Sequence, residues 1–470
     1  MKVTTKIRVL AMGVFCIALA PAMFAQTYTR IHGFNLTDGQ HPTGLVQGTD
    51  GNLYGTTEFG GNGYGTIFRI TPRGQLTTIY TFPNGAYPVG TLIQSNDGNF
   101  YGTTAGGGTA GFGSVFKITA KGALTTLYSF CSQGYPNCPD GYGPFAGLVR
   151  ASNGAFYGTA QSGGAVPECG TIFKITSSGN LTTLHSFNDT DGCFPVTPLI
   201  QASDGNLYGT TPSGSAGIFR ISLNGTFTTV YKFCSLSNCS DGESPEAGLI
   251  QGTDGNFYGT TNDQGKSGNG TVFKITPTGT LTTLHRFCAT GCADGAYPAT
   301  PLVQASDGNF YGTTTDYGTG GGTVFEITPD GDLTTLYSFC AGGRGCLDGD
   351  APDALILDTN GTFYGTTVSG GLPGSCSSFG CGVVFSLATG LSPFVETLPV
   401  SGKVGQSVAI LGTNLTGATA VTFNQTPATF TVKSSSQILA TVPVGATTGT
   451  LQVVTLAGTL SSNVSFRVTP

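Results

Sequence analysis

From residue 197 to 233 the chain alternates short runs of β-branched and aromatic residues with two-residue turns: TPLIQASDGNLYGTT, a Gly/Ser stretch, then GIFRISLNGTFTTVYKF. Leu199, Ile200 and Gln201 form the first apolar run, and Asp204-Gly205 supplies a tight turn in which Gly accepts positive φ. Residues 206–211 are the second run and 217–222 the third; Asn224-Gly225 turns the chain into the fourth, 226–233. Short runs rich in Val, Ile, Thr, Tyr and Phe, punctuated in this way, predict four antiparallel strands joined by hairpins.

The same phrase recurs along the chain. Tyr-Gly-Thr-(Thr/Ala) begins at Tyr54, Tyr101, Tyr157, Tyr208, Tyr258, Tyr311 and Tyr364, at spacings of 47 to 56 residues. Third strands follow at Phe68, Phe116, Phe173, Phe219, Phe273, Phe325 and Phe385, but only six are followed by a fourth strand of the LTTLYSF type. The segment TYTRIHGF at 27–34 aligns with LTTLHSF around His185 and supplies the missing strand. These features predict an all-β protein: a seven-bladed β-propeller over 26–390, closed by its N-terminal strand, which removes the two sheet edges of an open ring.

The unit GLIQGTDGNLYGTT…GTVFKITPTGTLTTLHRF resembles the GloVer tandem repeat of bacterial exported proteins. That resemblance implies a secreted or cell-surface location and brings no catalytic residues with it. After Leu391 the Tyr-Gly-Thr phrase and cysteine both disappear. Gly405, Gly412-Thr413-Asn414-Leu415, Val421-Thr422-Phe423, Val442-Pro443 and Gly449 resemble the IPT/TIG module, which implies an immunoglobulin-like β-sandwich over 391–470 acting as an extracellular spacer or binding module. Alternation in residues 407–411 and 450–454 independently supports half-buried strands.

Composition narrows the function. Gly accounts for 75 of 470 residues without a Gly-X-Y register, and only 9% of residues are charged, which excludes collagen and disfavours helical surfaces. Hydrophobic residues at 39% exclude a disordered chain. At the N-terminus Lys2, Lys6 and Arg8 precede an apolar run at 9–20 and small residues at Ala20, Ala22 and Ala25. Twelve apolar residues are too few to span a bilayer, so 1–25 reads as a cleaved signal peptide, with Cys16 a passenger. Its loss makes the formal charge of −6 more negative by three, which argues against nucleic-acid partners.

The remaining twelve cysteines are even in number, as disulfides in an exported protein require. Five pairs are close in sequence: Cys131/Cys138, Cys234/Cys239, Cys288/Cys292, Cys340/Cys346 and Cys376/Cys381. Cys169 and Cys193 are left to each other, on loops that emerge from one face of a four-stranded blade. A zinc site needs four converging ligands, whereas these pairs lie on different blades. Blade links carry Asp/Asn-Gly-x-x-Pro, starting at Asp38, Asn84, Asp140, Asp191, Asp241, Asp294 and Asp348. With the Gly-rich loops they define a loop-rich face where six carboxylates can hold cations or sugar hydroxyls, or can simply start turns.

Other chemistry is sparse. His32, His185 and His285 occupy a slot that is Tyr80, Tyr128, Tyr231 and Tyr337 elsewhere, and His41 stands alone. No nucleophile elbow, Walker loop or His-Glu-x-x-His motif is present. The six glutamates are Glu58, Glu168, Glu243, Glu246, Glu326 and Glu396, of which Glu243 and Glu246 share a link and could form a glycosidase-like pair, although two surface carboxylates three residues apart are far more often simply solvated. The reading is an exported, monomeric, non-catalytic protein, free of cofactor and metal, that binds a glycan or surface protein. The alternative is a polysaccharide hydrolase or lyase using the same face.

Overall fold

The computed structural model describes residues 26–165, 169–263, 268–298, 300–341, 345–371, 376 and 380–469. The segment read as a signal peptide and Glu168 lie outside them. Seven four-stranded antiparallel sheets form the propeller. In blade 4 the strands are Ile200–Gln201, Leu207–Thr211, Gly217–Ile221 and Phe227–Lys232, in that order from the inside. The last blade places Thr27–Gly33 outside Val383–Ala388, pairing Tyr28 with Leu387 and Gly33 with Val383. This is the closure expected from the strand count.

Each blade is built by the same local contacts. The second-strand tyrosine turns back to its own hairpin, so that Tyr101 donates to Asp97 at 2.8 Å, Tyr208 to Asp204 at 2.9 Å and Tyr311 to Asp307 at 2.7 Å. Its ring is buried between neighbouring blades, stacking for example on Phe156 (Tyr101, 4.2 Å) and Phe310 (Tyr258, 3.9 Å). Burial, followed by the hydrogen bond that it donates to the adjacent Asp204 carboxylate, pushes the Tyr208 hydroxyl up to about 12. Third-strand phenylalanines 68, 116, 173, 219, 273, 325 and 385 are all fully buried, each side chain contributing roughly 2 kcal/mol by leaving water.

Glutamines stitch the blades together. Gln94 accepts from the Thr49 N–H at 2.8 Å, Gln201 from Ser152 at 2.9 Å, Gln251 from Ser203 at 2.7 Å and Gln304 from Thr253 at 2.9 Å; Gln47 accepts from Thr359 at 3.1 Å across the closing seam. Each bridges an inner strand to the hairpin of the preceding blade, a bond worth about 1 kcal/mol. Arg150 and Leu357 take this position in blades 3 and 7.

The C-terminal module is a sandwich of two four-stranded sheets plus a parallel pair, Ser401–Lys403 with Arg467–Thr469. Val408, Ile410, Val421, Phe423, Ile438, Val453 and Phe466 fill its core. It docks on the hairpin-bearing face of the propeller. Ser436 Oγ donates to the Thr49 carbonyl at 3.0 Å, and Arg467 donates to the Ala202 carbonyl at 2.7 Å and to Gln201 Oε1 at 2.8 Å. The loop-rich face lies at the other end of the strands and is left uncovered.

Candidate functional site

Links and Gly-rich loops do emerge together, because strands one to four alternate in direction. Short bridges fasten them: Tyr142 to Ser162, Cys193 to Ser213, Glu243 to Asp263 and Ala296 to Asp316. The cysteines join as Cys131–Cys138, Cys169–Cys193, Cys234–Cys239, Cys288–Cys292, Cys340–Cys346 and Cys376–Cys381, with Cα separations of 4.0 to 5.3 Å. Among the described residues, Cys169/Asp189/Cys193 and Cys234/Cys239/Glu243 bring three potential ligand atoms together. In both, the sulfurs are already bonded to each other, and it is the thiolate that binds metal.

The ring of link aspartates is engaged within the links themselves. Asp38 receives the Asn35 N–H at 2.8 Å and pairs with His32 at 3.0 Å; Asp191 does the same with Asn188 and His185 at 2.8 and 3.1 Å. Asp140 accepts from Tyr128 at 2.9 Å and from the Cys131 N–H at 3.0 Å, Asp241 from Tyr231 at 2.8 Å, and Asp348 from Tyr337 at 2.9 Å. Asp294 pairs with His285 at 2.8 Å. The histidine/tyrosine slot is therefore a donor position that ties the outer strand to its link, in addition to packing. Burial lowers the His185 pKa, with Asp191 opposing it.

What the face presents to solvent lies elsewhere. Among the described propeller residues, every large hydrophobic side chain in the exposed class belongs to this face: Leu36, Tyr135, Phe145, Leu236, Tyr317 and Leu347, at 38% to 60% exposure. Tyr135 faces Phe112 and Tyr142 with ring centroids 6.4 Å from each, Tyr317 lies 6.3 Å from Tyr297, and Tyr87 bridges Phe59 and Tyr64. Small aromatic groups are thus set around a rigid ring.

Two polar groupings interrupt the repeat at the inner edge of the same face. His41 is not alone: its Nδ1 lies 3.6 Å from Glu58 Oε2. Asp353, on the inner strand of blade 7 at a register shift between Pro352 and Ala354, adjoins both across the closing seam. Burial and then the Glu58 charge push its carboxyl up to about 6, with His41 acting against them. In blade 5, Glu246 accepts from Asn262 at 2.6 Å, while the Glu243 backbone pairs with Asp263. The signal for these residues was present in the repeat: Glu58 stands where other blades have Ala105, Gln161, Pro212, Asn262, Thr315 and Val368. What the sequence alone did not reveal was that the closing seam brings Asp353 to them.

Among the described residues no helix is long and apolar enough to cross a membrane. No curated protein matches the chain. Solved structures similar to it include a protein described as a gluconolactonase (12% identity over 78% of this chain and 94% of the other, TM-score 0.42). Others are the extracellular domain of a protein described as a one-component system from B. thetaiotaomicron (11%, 94% and 59%, 0.46) and a PQQ-bound aldose sugar dehydrogenase from Streptomyces coelicolor (14%, 78% and 99%, 0.40). The IPT/TIG domain family matches residues 390–468. The Gloeobacter/Verrucomicrobia repeat matches residues 17–139, 133–251 and 250–428, so that the whole propeller is covered, and the chain belongs to that repeat family.

Proposed function

We propose that the protein is an exported binding protein that holds a glycan on the loop-rich face of its propeller. The observation that carries this reading is the gathering of the propeller's exposed aromatic and aliphatic side chains on that one face. Apolar groups left exposed together on a rigid scaffold mark contact surfaces, and tyrosine and phenylalanine rings offer flat faces on which sugar rings stack. The disulfides clustered in the links, together with the basic and apolar pattern of residues 1–25, support an exported location.

A second reading, hydrolysis or lyase chemistry on a polysaccharide, is favoured by one specific observation. Asp353 has a carboxyl raised towards neutrality beside Glu58 and His41, as a general acid or base requires. One pair of experiments separates the two. On a glycan array, Tyr135→Ala, Phe145→Ala and Tyr317→Ala combined should reduce binding about tenfold or more while leaving the melting temperature near that of the parent. Equal binding by this variant would refute the assignment of the face. A product assay on pooled polysaccharides should show no cleavage; cleavage abolished by Asp353→Asn would establish the enzyme instead.

A further inference from the structure

The module does more than rest on the propeller. Between them, at the hairpin end of the central axis, lies a cavity of about 460 Å3, within the range of small-molecule sites. Its wall is a ring of aliphatic side chains contributed by the inner strands of six blades: Val46, Ile93, Val149, Ile250, Val303 and Ile356. Blade 7 adds Leu357 where other blades carry glutamine or arginine, which removes a polar group from the wall. The module provides the roof, including Leu398 and Val464.

One side chain does not belong in such a setting. Glu396 lies on the module strand Glu396–Leu398, between Val395 and Thr397, both of which are buried. Strand alternation turns Glu396 the other way, out of the module's sheet and into the cavity. Its side chain makes no hydrogen bond or ion pair among the described residues, and it is solvent-accessible through the cavity that it lines. The ionisable neighbour that acts on it is another acid, Asp358, buried in the blade 7 hairpin. Arg150, the remaining charged residue of the lining, is held by Asn96 on the adjacent blade at 3.3 Å. Burial and then Asp358 push the Glu396 carboxyl up to about 7, the response of an acid lacking a counter-charge.

We propose that this cavity binds a small organic amine, its apolar body within the aliphatic ring and its protonated nitrogen on Glu396. A carboxylate set against an aliphatic wall with no counter-charge gains from a cationic partner, and an ammonium group supplies both the charge and the hydrogen-bond donors it lacks. A second cavity of about 280 Å3 adjoins the first, sharing Asn96 and Leu398 with it, and lies between the hairpins of blades 1 and 2 and the module.

Calorimetry on the full chain at pH 8 tests the assignment with three molecules of nearly equal shape: 2-phenylethylamine, 2-phenylethanol and 3-phenylpropanoate. The amine should bind with one-to-one stoichiometry and more tightly than the alcohol, and phenylpropanoate should bind weakest. Glu396→Gln should weaken the amine about tenfold or more and leave the alcohol unchanged. Val303→Trp, which fills the ring, should abolish binding of all three. No binding of the amine, equal affinity of the Glu396→Gln variant for it, or a preference for phenylpropanoate would overturn the proposal.

Discussion

At the residue scale, the repeated Tyr-Gly-Thr phrase has a steric cause. The glycine pairs with the third-strand phenylalanine, as Gly209 does with Phe219. A Cβ on Gly209 would come within 2.6 Å of the Phe219 ring, and one on Gly365 within 2.3 Å of Phe385. Gly209→Ala should therefore lower the free energy of unfolding by about 2 kcal/mol, read by denaturant titration, and Phe219→Leu in the same chain should recover part of the loss. The phrase was legible as a strand, but the reason for its glycine lies on a different strand and needed the register.

Three acids with raised carboxyls set a second residue-scale expectation. Burial raises Asp353 and Asp358 to about 6, and burial with Asp358 raises Glu396 to about 7, all above the unfolded range near 4. A raised folded-state pKa means that the unfolded chain releases its proton first, so stability is greatest below about pH 4 for these groups and is lost as pH climbs towards 7. Asp358 alone, almost fully buried, accounts for about 2 to 3 kcal/mol of that loss. His185 acts in the opposite sense, and Asp254, held at about 2 because its hydrogen bonds with Lys274, Asn256 and Tyr258 together outweigh its burial, does not titrate in this window. The melting temperature should fall between about pH 4 and 7, and Asp358→Asn should flatten the profile; an unchanged slope in that variant would refute the assignment.

At the element scale, most of the fold was legible because each hairpin carries its own turn chemistry. Asp-Gly and Asn-Gly fix strand ends locally, and the count of third against fourth strands exposed the closure. The inner strands were less legible. In blades 1 and 7 they run eight residues, Gln40–Gln47 and Asp350–Leu357, whereas in blades 2 to 6 only two residues pair. The segment from proline to turn is one residue longer in those five blades, and Pro198 and Pro301 interrupt it further. Closure itself is testable. Tyr28 stacks on Tyr337 at 4.2 Å and Phe34 is fully buried, so deleting residues 27–34 removes core as well as an edge strand. The shortened chain should melt lower and self-associate on sizing chromatography; a monomer as stable as the parent would show that the ring closes without it.

At the scale of the whole molecule, the strand directions separate two faces that carry different kinds of information. Links and Gly-rich loops vary in length and hold the exposed aromatics, while the hairpin end is uniform and is covered by the module. The link aspartates were visible in the sequence because they repeat, and repetition is why they serve as hydrogen-bond anchors alike in six of the seven links. The residues that distinguish the molecule, Glu58, Asp353 and Glu396, each occur once, and their neighbours come from the ring seam or the other domain, which no local pattern records. The two faces should therefore be separable. A chain ending at residue 390 keeps all seven blades and the uncovered face, so glycan binding should remain within about twofold of the parent. The same chain loses Glu396 and the roof of the axial cavity, so 2-phenylethylamine binding should disappear. Residues 391–470 alone should bind neither. Glycan binding by that isolated module, with none by the truncated propeller, would move recognition to the sandwich and reduce the seven blades to a support for it.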